Sequence, residues 1–255
     1  MEALAEILNF SETALVGAFL VLMRVGSVTA LLPGFGEQSI PMRVRLIVAL
    51  AFTAIVWPVV QPAFTFSQKD MPLLILTESA VGLLIGISVR LLLIALQLAG
   101  SIAAQSTSVA QVAGSGAMPD PMPAIGNILV MAGIALALVT GLHEKAALAL
   151  ISSYEILPPG YFPNGGDVAT WGTAHVASAF ALALSLAAPF VVTSFAYNIG
   201  LGAINRAMPS LMVAFIGAPA ISAGAIFMLM LTAPVLLAFW NGQLAVLLAN
   251  PLGMP

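Results

Sequence analysis

The chain has 255 residues, of which 61% are hydrophobic and only 7% charged, with a formal net charge of -3 and a mean hydropathy of +1.10. Soluble domains are near half apolar and a quarter charged, so this composition excludes a fold that wets its whole exterior. The small net charge, without a cluster of Lys and Arg, argues against nucleic-acid binding; the lack of cysteine excludes disulfides and thiolate metal sites.

About 20 largely apolar residues carry a helix across a bilayer, and six stretches approach or exceed that length: 13–32, 46–64, 73–99, 125–142, 174–205 and 211–249. In lipid the alternative to helix is a closed barrel with period-two alternation, and no such alternation runs through these stretches. The expected fold is therefore all-α: a membrane-class protein of about six apolar segments arranged as kinked helical hairpins. Gly and Pro mark the breaks, at Pro33-Gly34-Phe35-Gly36, from Pro62 to Pro72, from Gly114 to Pro123, from Pro158 to Gly166, and at Pro209.

Ahead of the first segment stand Glu2, Glu6 and Glu12, with no basic residue before Arg24. That is the wrong start for a cleaved leader, so the segment is expected to stay. Arg43 and Arg45 follow it, and the positive-inside rule places their turn in the cytoplasm; Lys69, Lys145 and Arg206 add too slight a bias to fix the remaining topology. Arg24, Glu78 and Arg90 lie within apolar segments, where a lone charge costs at least a few kcal/mol. Glu78 and Arg90 do not share a helix face, so pairing must run between segments. Structural ion pairs are the expected role, because a proton relay would want several carboxylates or His in line. Gly82-Leu-Leu-Ile-Gly86 presents a close-packing GxxxG face.

Between 97 and 115, Gln97, Ser101, Gln105, Ser108, Gln111 and Ser115 recur at steps of three and four, which places them on one helix face. An uncharged polar stripe suits a pore wall that faces water or a passing chain. Hydrogen bonding between helices is the structural alternative. Next comes Gly114-Ser-Gly-Ala-Met-Pro-Asp-Pro-Met-Pro123, in which Gly114 and Gly116 allow sharp bends, the prolines forbid helix, and Met118 and Met122 flank Asp120. Two readings of it stand side by side, a plug inside a channel and a connector between helices.

Three enzyme-like signals fail. His143-Glu144 opens like a zinc-protease HExxH, but the fifth position is Ala147. Ser115 with His143 or His175 could form a dyad, yet its glycine flanks are equally explained by a bend. Gly114-Ser-Gly lacks the Lys-Ser/Thr of a phosphate loop. No enzymatic activity and no cofactor are expected. From Val168 onward Arg206 is the only charged side chain, and this tail reads as one long helical hairpin turning near Asn205 to Pro209.

Arg24, Pro33 and Glu37-Gln-Ser-Ile-Pro-Met-Arg-Val-Arg-Leu46 resemble the FliR family, in which an apolar helix with one Arg leads into an I-P-x-R-V-R/K-L turn. Glu78-Ser-Ala-Val-Gly-Leu-Leu-Ile-Gly86 and Leu98-Ala-Gly100 are similar to its third segment. Asn198-Ile-Gly-Leu-Gly-Ala-Ile-Asn-Arg-Ala-Met-Pro209, then Ile216-Gly-Ala-Pro219, resembles its C-terminal run. The chain departs from the family at Gln105-Ser-Thr-Ser-Val-Ala-Gln111, where a Q-M-G-x-x-x-A run is usual, and at Gly141-Leu-His143.

The resemblance implies a subunit of the flagellar type III export gate, or of its injectisome counterpart, the SctT family. Implied partners are FliP-type and FliQ-type gate subunits and FlhB- and FlhA-type export proteins, with exported rod, hook and filament subunits as cargo. It also implies a FliP-like region over 1–167, holding the central loop 114–123, and a FliQ-like hairpin over 168–255. Arg24, Pro41, Arg43, Arg45, Glu78, Asn205, Arg206 and Pro209 are the residues expected to serve assembly. A multipass secondary transporter is the reading from another class; it would want an inverted repeat and coupling ionisable groups, and neither is visible.

Overall fold

The structure, a computed structural model, describes the backbone of residues 2–61, 71–107, 124–208 and 213–253 and the side chains of 14–61, 71–107, 124–208 and 220–253. Among these residues there are seven helices and no strand: α1 (Glu2–Leu31), α2 (Met42–Val60), α3 (Met71–Thr107), α4 (Ala124–Val139), α5 (Leu142–Ile156), α6 (Gly165–Ala207) and α7 (Val213–Ala249). Five of them are long and apolar enough to cross a membrane, and the bent pair α4 and α5 makes a sixth candidate.

Local chemistry sets the boundaries. α1 ends before Pro33, and Gly34 takes a φ of 78° that other L residues rarely adopt. Pro41 caps the start of α2 with an extended ψ of 141°. α3 opens on Met71-Pro72, where a missing amide costs nothing because first-turn amides have no helical partner. It is 37 residues long in all, extending past the apolar run 73–99 into the stretch whose polar residues step by three and four.

The larger departure lies in the fourth segment. One span was expected over 125–142, but α4 stops at Val139 and the chain turns by 73° into a separate helix. Gly141 makes the turn at a φ of 81°. α5 buries Leu142, Ala146, Ala149, Leu150, Ser153 and Tyr154 on one stripe while His143, Glu144 and Glu155 are exposed. Fifteen residues with charged ends are too short and too polar to read as a span.

Two compact units emerge, one from Met1–Leu91, Ala137–His175 and Gln243–Pro255, the other from Leu92–Leu136 and Val176–Gly242. In the first, α1 packs along α2 and α2 along α5. Gly82 of α3 lies against the Arg24 carbonyl and the Ser27 side chain of α1, and Gly86 against Leu31. Any Cβ at Gly82 would collide with backbone, so the GxxxG face serves helix contact, as its spacing suggests. Because the contacts advance in the same direction on both helices, α1 and α3 run parallel. Val21, Val25, Val28, Val56, Val81, Ile85 and Val89 fill this core.

In the second unit, Gly100 of α3 meets the backbone of α4 at Gly126, with no space for a side chain between them. Gly133 of α4 faces Leu96 and the Trp240 ring. Trp240 is fully buried, and its indole N–H donates to the Leu92 carbonyl at 2.8 Å. Leu186, Ala187 and Phe190 of α6 complete the packing.

Candidate functional site

Arg24 is the residue around which the first unit is built. It sits inside α1 with no solvent exposure, as does Glu78 inside α3. Its Nε donates to Glu78 Oε2 at 2.8 Å and its Nη2 to Oε1 at 3.0 Å, the bidentate fork that matches guanidinium to carboxylate. Nη1 donates to Ser153 Oγ at 3.1 Å, and Nη2 also reaches the Leu157 carbonyl at 3.0 Å. That carbonyl belongs to the C-cap residue of α5, an acceptor that the helix itself cannot satisfy. Tyr154 closes the cluster: its hydroxyl donates to Glu78 Oε2 at 3.0 Å and its ring centroid lies 3.7 Å from the Arg24 guanidinium carbon.

This arrangement fastens three helices at one point. A charge taken out of water is tolerable only when a partner and further hydrogen bonds replace its hydration, and both ions here have them. The expectation that pairing runs between segments holds, but the pair is internal to the chain. With both side chains fully buried, Arg24 and Glu78 touch no surface that a neighbouring subunit could reach.

A second cluster holds the turn before α2. Arg90 of α3 pairs with Glu37 at 2.7 Å, both side chains partly exposed. Arg45 donates to the Glu37 carbonyl at 2.7 Å and to the Ile40 carbonyl at 3.1 Å, so it is bound within its own turn. Pro41 and Arg43 are exposed.

The polar stripe lies on α3 in the second unit as far as that helix is described. Gln97 and Ser101 are half-buried and Gln105 is exposed. The Ser101 hydroxyl donates to the Gln97 carbonyl at 3.0 Å, a bond within the helix. Ser108, Gln111 and Ser115, and the loop residues Gly114, Gly116, Met118, Asp120 and Met122, lie outside the described residues, as does Pro209. Beside the stripe, Ser194 of α6 donates to the Ser106 carbonyl, and Asn198 Nδ2 donates to Ser194 Oγ at 3.3 Å. A cavity of about 50 Å³ lies next to them, lined from α3, α6 and α7 by Thr107, Phe190, Tyr197, Ile221 and Met228. Asn205 and Arg206 are exposed at the end of α6.

Tyr154, Ser153, Leu157 and Ser194 were not singled out from sequence, and Glu37 and Asn198 entered only as parts of family-like runs, not as hydrogen-bond partners. A buried Arg needs several acceptors, but nothing in spacing says that they come 54 to 133 residues away.

Span-length helices, a core fastened by a buried ion pair and an apolar exterior define a polytopic helical membrane protein. A model of the family described as bacterial export proteins, family 1, matches residues 15–246. The flagellar biosynthetic protein FliR of Caulobacter vibrioides is 32% identical over 206 residues, covering 79% of this chain and 82% of that one. FliR of Bacillus subtilis is 26% identical over 78% of this chain and 79% of its own, and FliR of Escherichia coli 25% over 79% and 78%. The chain belongs to this family of bacterial export proteins.

Proposed function

We propose that the chain is a subunit of the flagellar type III protein export gate in the bacterial inner membrane. There it helps form the channel through which unfolded rod, hook and filament subunits leave the cell. Family membership across residues 15–246 carries this reading, with FliR relatives matched over about four fifths of their length. The helical architecture supports it, with five span-length helices and a bent sixth candidate. As a structural component of an export apparatus, the chain contributes walls and contacts rather than bond chemistry.

The finer assignments extend that reading. FliP-type and FliQ-type subunits are its direct neighbours, with FlhB- and FlhA-type proteins close by. Residues 1–167 act as the FliP-like part and 168–255 as the FliQ-like hairpin, a division supported by the near absence of charge after Asp167. The face carrying Gln97, Ser101 and Gln105 lines the conduit, and the loop from Gly114 to Pro123 closes it at rest. Soft methionine contacts would hold back ions without selecting a cargo. Asn205, Arg206 and Arg43 are exposed and free to meet sister subunits, whereas Arg24 and Glu78 serve assembly indirectly, by fixing the shape of this subunit.

Deleting the gene in its host and measuring hook and filament protein in the culture medium tests the reading. Secretion should vanish and return with the wild-type chain. Normal secretion without it would overturn the assignment.

A further inference from the structure

A serine or threonine inside a helix ordinarily returns its hydroxyl proton to a carbonyl three or four residues back. Ser88 and Ser101 of α3 do so, as do Ser185 and Thr193 of α6. Ser194 does not. It is only 4% exposed, and its hydroxyl leaves α6 to donate to the Ser106 carbonyl in the last described turn of α3. A carbonyl oxygen has two lone pairs, so it takes this bond without giving up a helical one.

Asn198 explains why the hydroxyl points outward. A serine hydroxyl has one proton, and with that proton on the Ser106 carbonyl its oxygen acts as an acceptor. Asn198, one turn further along α6 and half-buried, donates Nδ2 to it at 3.3 Å. The amide thus steadies the hydroxyl, and the hydroxyl ties α3 to α6.

Packing is thin at the same place. The cavity of about 50 Å³ is bordered there by Thr107 of α3, Ser194 and Tyr197 of α6, and Gly224 and Met228 of α7. A Cβ on Gly224 would meet nothing within 4 Å. The Thr107, Thr193 and Ser194 hydroxyls beside the cavity are already spent on backbone carbonyls. The space therefore offers water little to bond, and an apolar void stays empty. Close contact fixes most core side chains, but Thr107 lacks it on this side.

We propose that Ser194 and Asn198 are positioning residues for the export conduit. Their hydrogen-bonded chain holds the end of α3 on α6 beside a gap in the packing. Gln105, on the turn so held, is exposed, while Ala103, two residues away and across the helix, is fully buried. The pin thereby keeps the Gln97, Ser101 and Gln105 face turned outward. This inference rests on the reading of that face as conduit wall.

Asn198→Leu keeps the size of the side chain but cannot donate, so the Ser194 hydroxyl is free to turn back to its own helix. Ser194→Ala removes the link outright, and Ser194→Thr keeps a hydroxyl. Each chain should be purified with its co-expressed gate subunits. Spin labels at Ala104→Cys and Ala196→Cys, the only thiols in a chain without cysteine, report the distance between α3 and α6. That distance should be single and narrow in the parent and in Ser194→Thr, and broadened toward longer values in Asn198→Leu and Ser194→Ala. Gly224→Leu, which fills the cavity from α7, should narrow it again when combined with Asn198→Leu.

Losing one neutral hydrogen bond shifts an equilibrium about two- to tenfold. In unlabelled cells, hook and filament protein secreted per assembled complex should fall by that order in Asn198→Leu and Ser194→Ala and recover in Ser194→Thr, with complex yield near that of the parent. An unchanged distance in Asn198→Leu and Ser194→Ala would overturn the pin whatever the cells secrete. A broadened distance with normal secretion per complex would make the bond structural only and overturn the positioning role. Failure of the export reading itself is distinct, because it appears as normal secretion when the whole gene is deleted.

Discussion

Replacing Glu78 by Gln keeps the side-chain shape but leaves the Arg24 cation fully buried without its counter-ion. The substitution removes the carboxylate that receives Arg24 Nε, Arg24 Nη2 and the Tyr154 hydroxyl. Breaking one side of a buried pair costs about 3–5 kcal/mol, equivalent to roughly two hundred- to five thousand-fold in a folding equilibrium at 1.36 kcal/mol per decade. Against a typical stability of 5–15 kcal/mol, that is a large share. Arg24→Met combined with Glu78→Leu should be less damaging than Glu78→Gln alone, because no lone ion remains even though Ser153, Tyr154 and the Leu157 carbonyl lose a partner. Tyr154→Phe removes one bond to a charged group and should cost about 1.5–3 kcal/mol. The thermal midpoint and yield of the purified complex give the ranking, and secretion should be normalised to assembled complex. If Glu78→Gln left the midpoint and yield unchanged but abolished secretion per complex, the pair would be working in transport and the clamp argument would be wrong.

Gly100→Val places a branched side chain against the backbone at Gly126 and should cost about 1–3 kcal/mol by forcing α3 and α4 apart; Gly224→Ala, with open space around it, should be silent in the same thermal assay. Glu37→Gln breaks a pair that is partly exposed on both sides, so complex stability should fall by no more than about 1 kcal/mol, visible as a small midpoint shift that shrinks in high salt. Deleting 114–123 should leave assembly intact but let ions leak across planar bilayers, whereas Gln105→Leu with Ser108→Leu should slow hook and filament secretion without leak. A tight membrane and normal secretion after the deletion would make the loop a connector.

Hydropathy made most of the helices legible because span-length apolar runs have few alternatives in lipid. It failed at α5, whose Leu142, Ala146, Ala149 and Leu150 stripe is an ordinary amphipathic pattern masked by flanking charge. The apolar run of the third segment ends at 99, but the three- and four-residue steps of Gln97, Ser101 and Gln105 continue the helix by pattern, and α3 does run on to Thr107. The buried ions could be recognised as needing partners from their surroundings alone. Their matching could not: helix geometry set Arg90 aside for Glu78 but named no partner on another segment, and only the packing of Gly82 on α1 brings Arg24 to it. Glu37 went unnoticed as a partner for Arg90 because it lies in a turn, where a carboxylate raises no cost that demands explanation.

Purification through a tag on this chain, after co-expression with the host's FliP-type and FliQ-type proteins, tests the central claim most directly when the native mass of the product is measured. The account predicts one heteromeric species containing all three subunits, and a chain that aggregates in detergent when expressed alone. Its exposed apolar faces, such as Phe180, Leu184, Val192 and Phe195 of α6, are then covered by neighbours. A monodisperse, well-folded monomer that ignores both partners would contradict it.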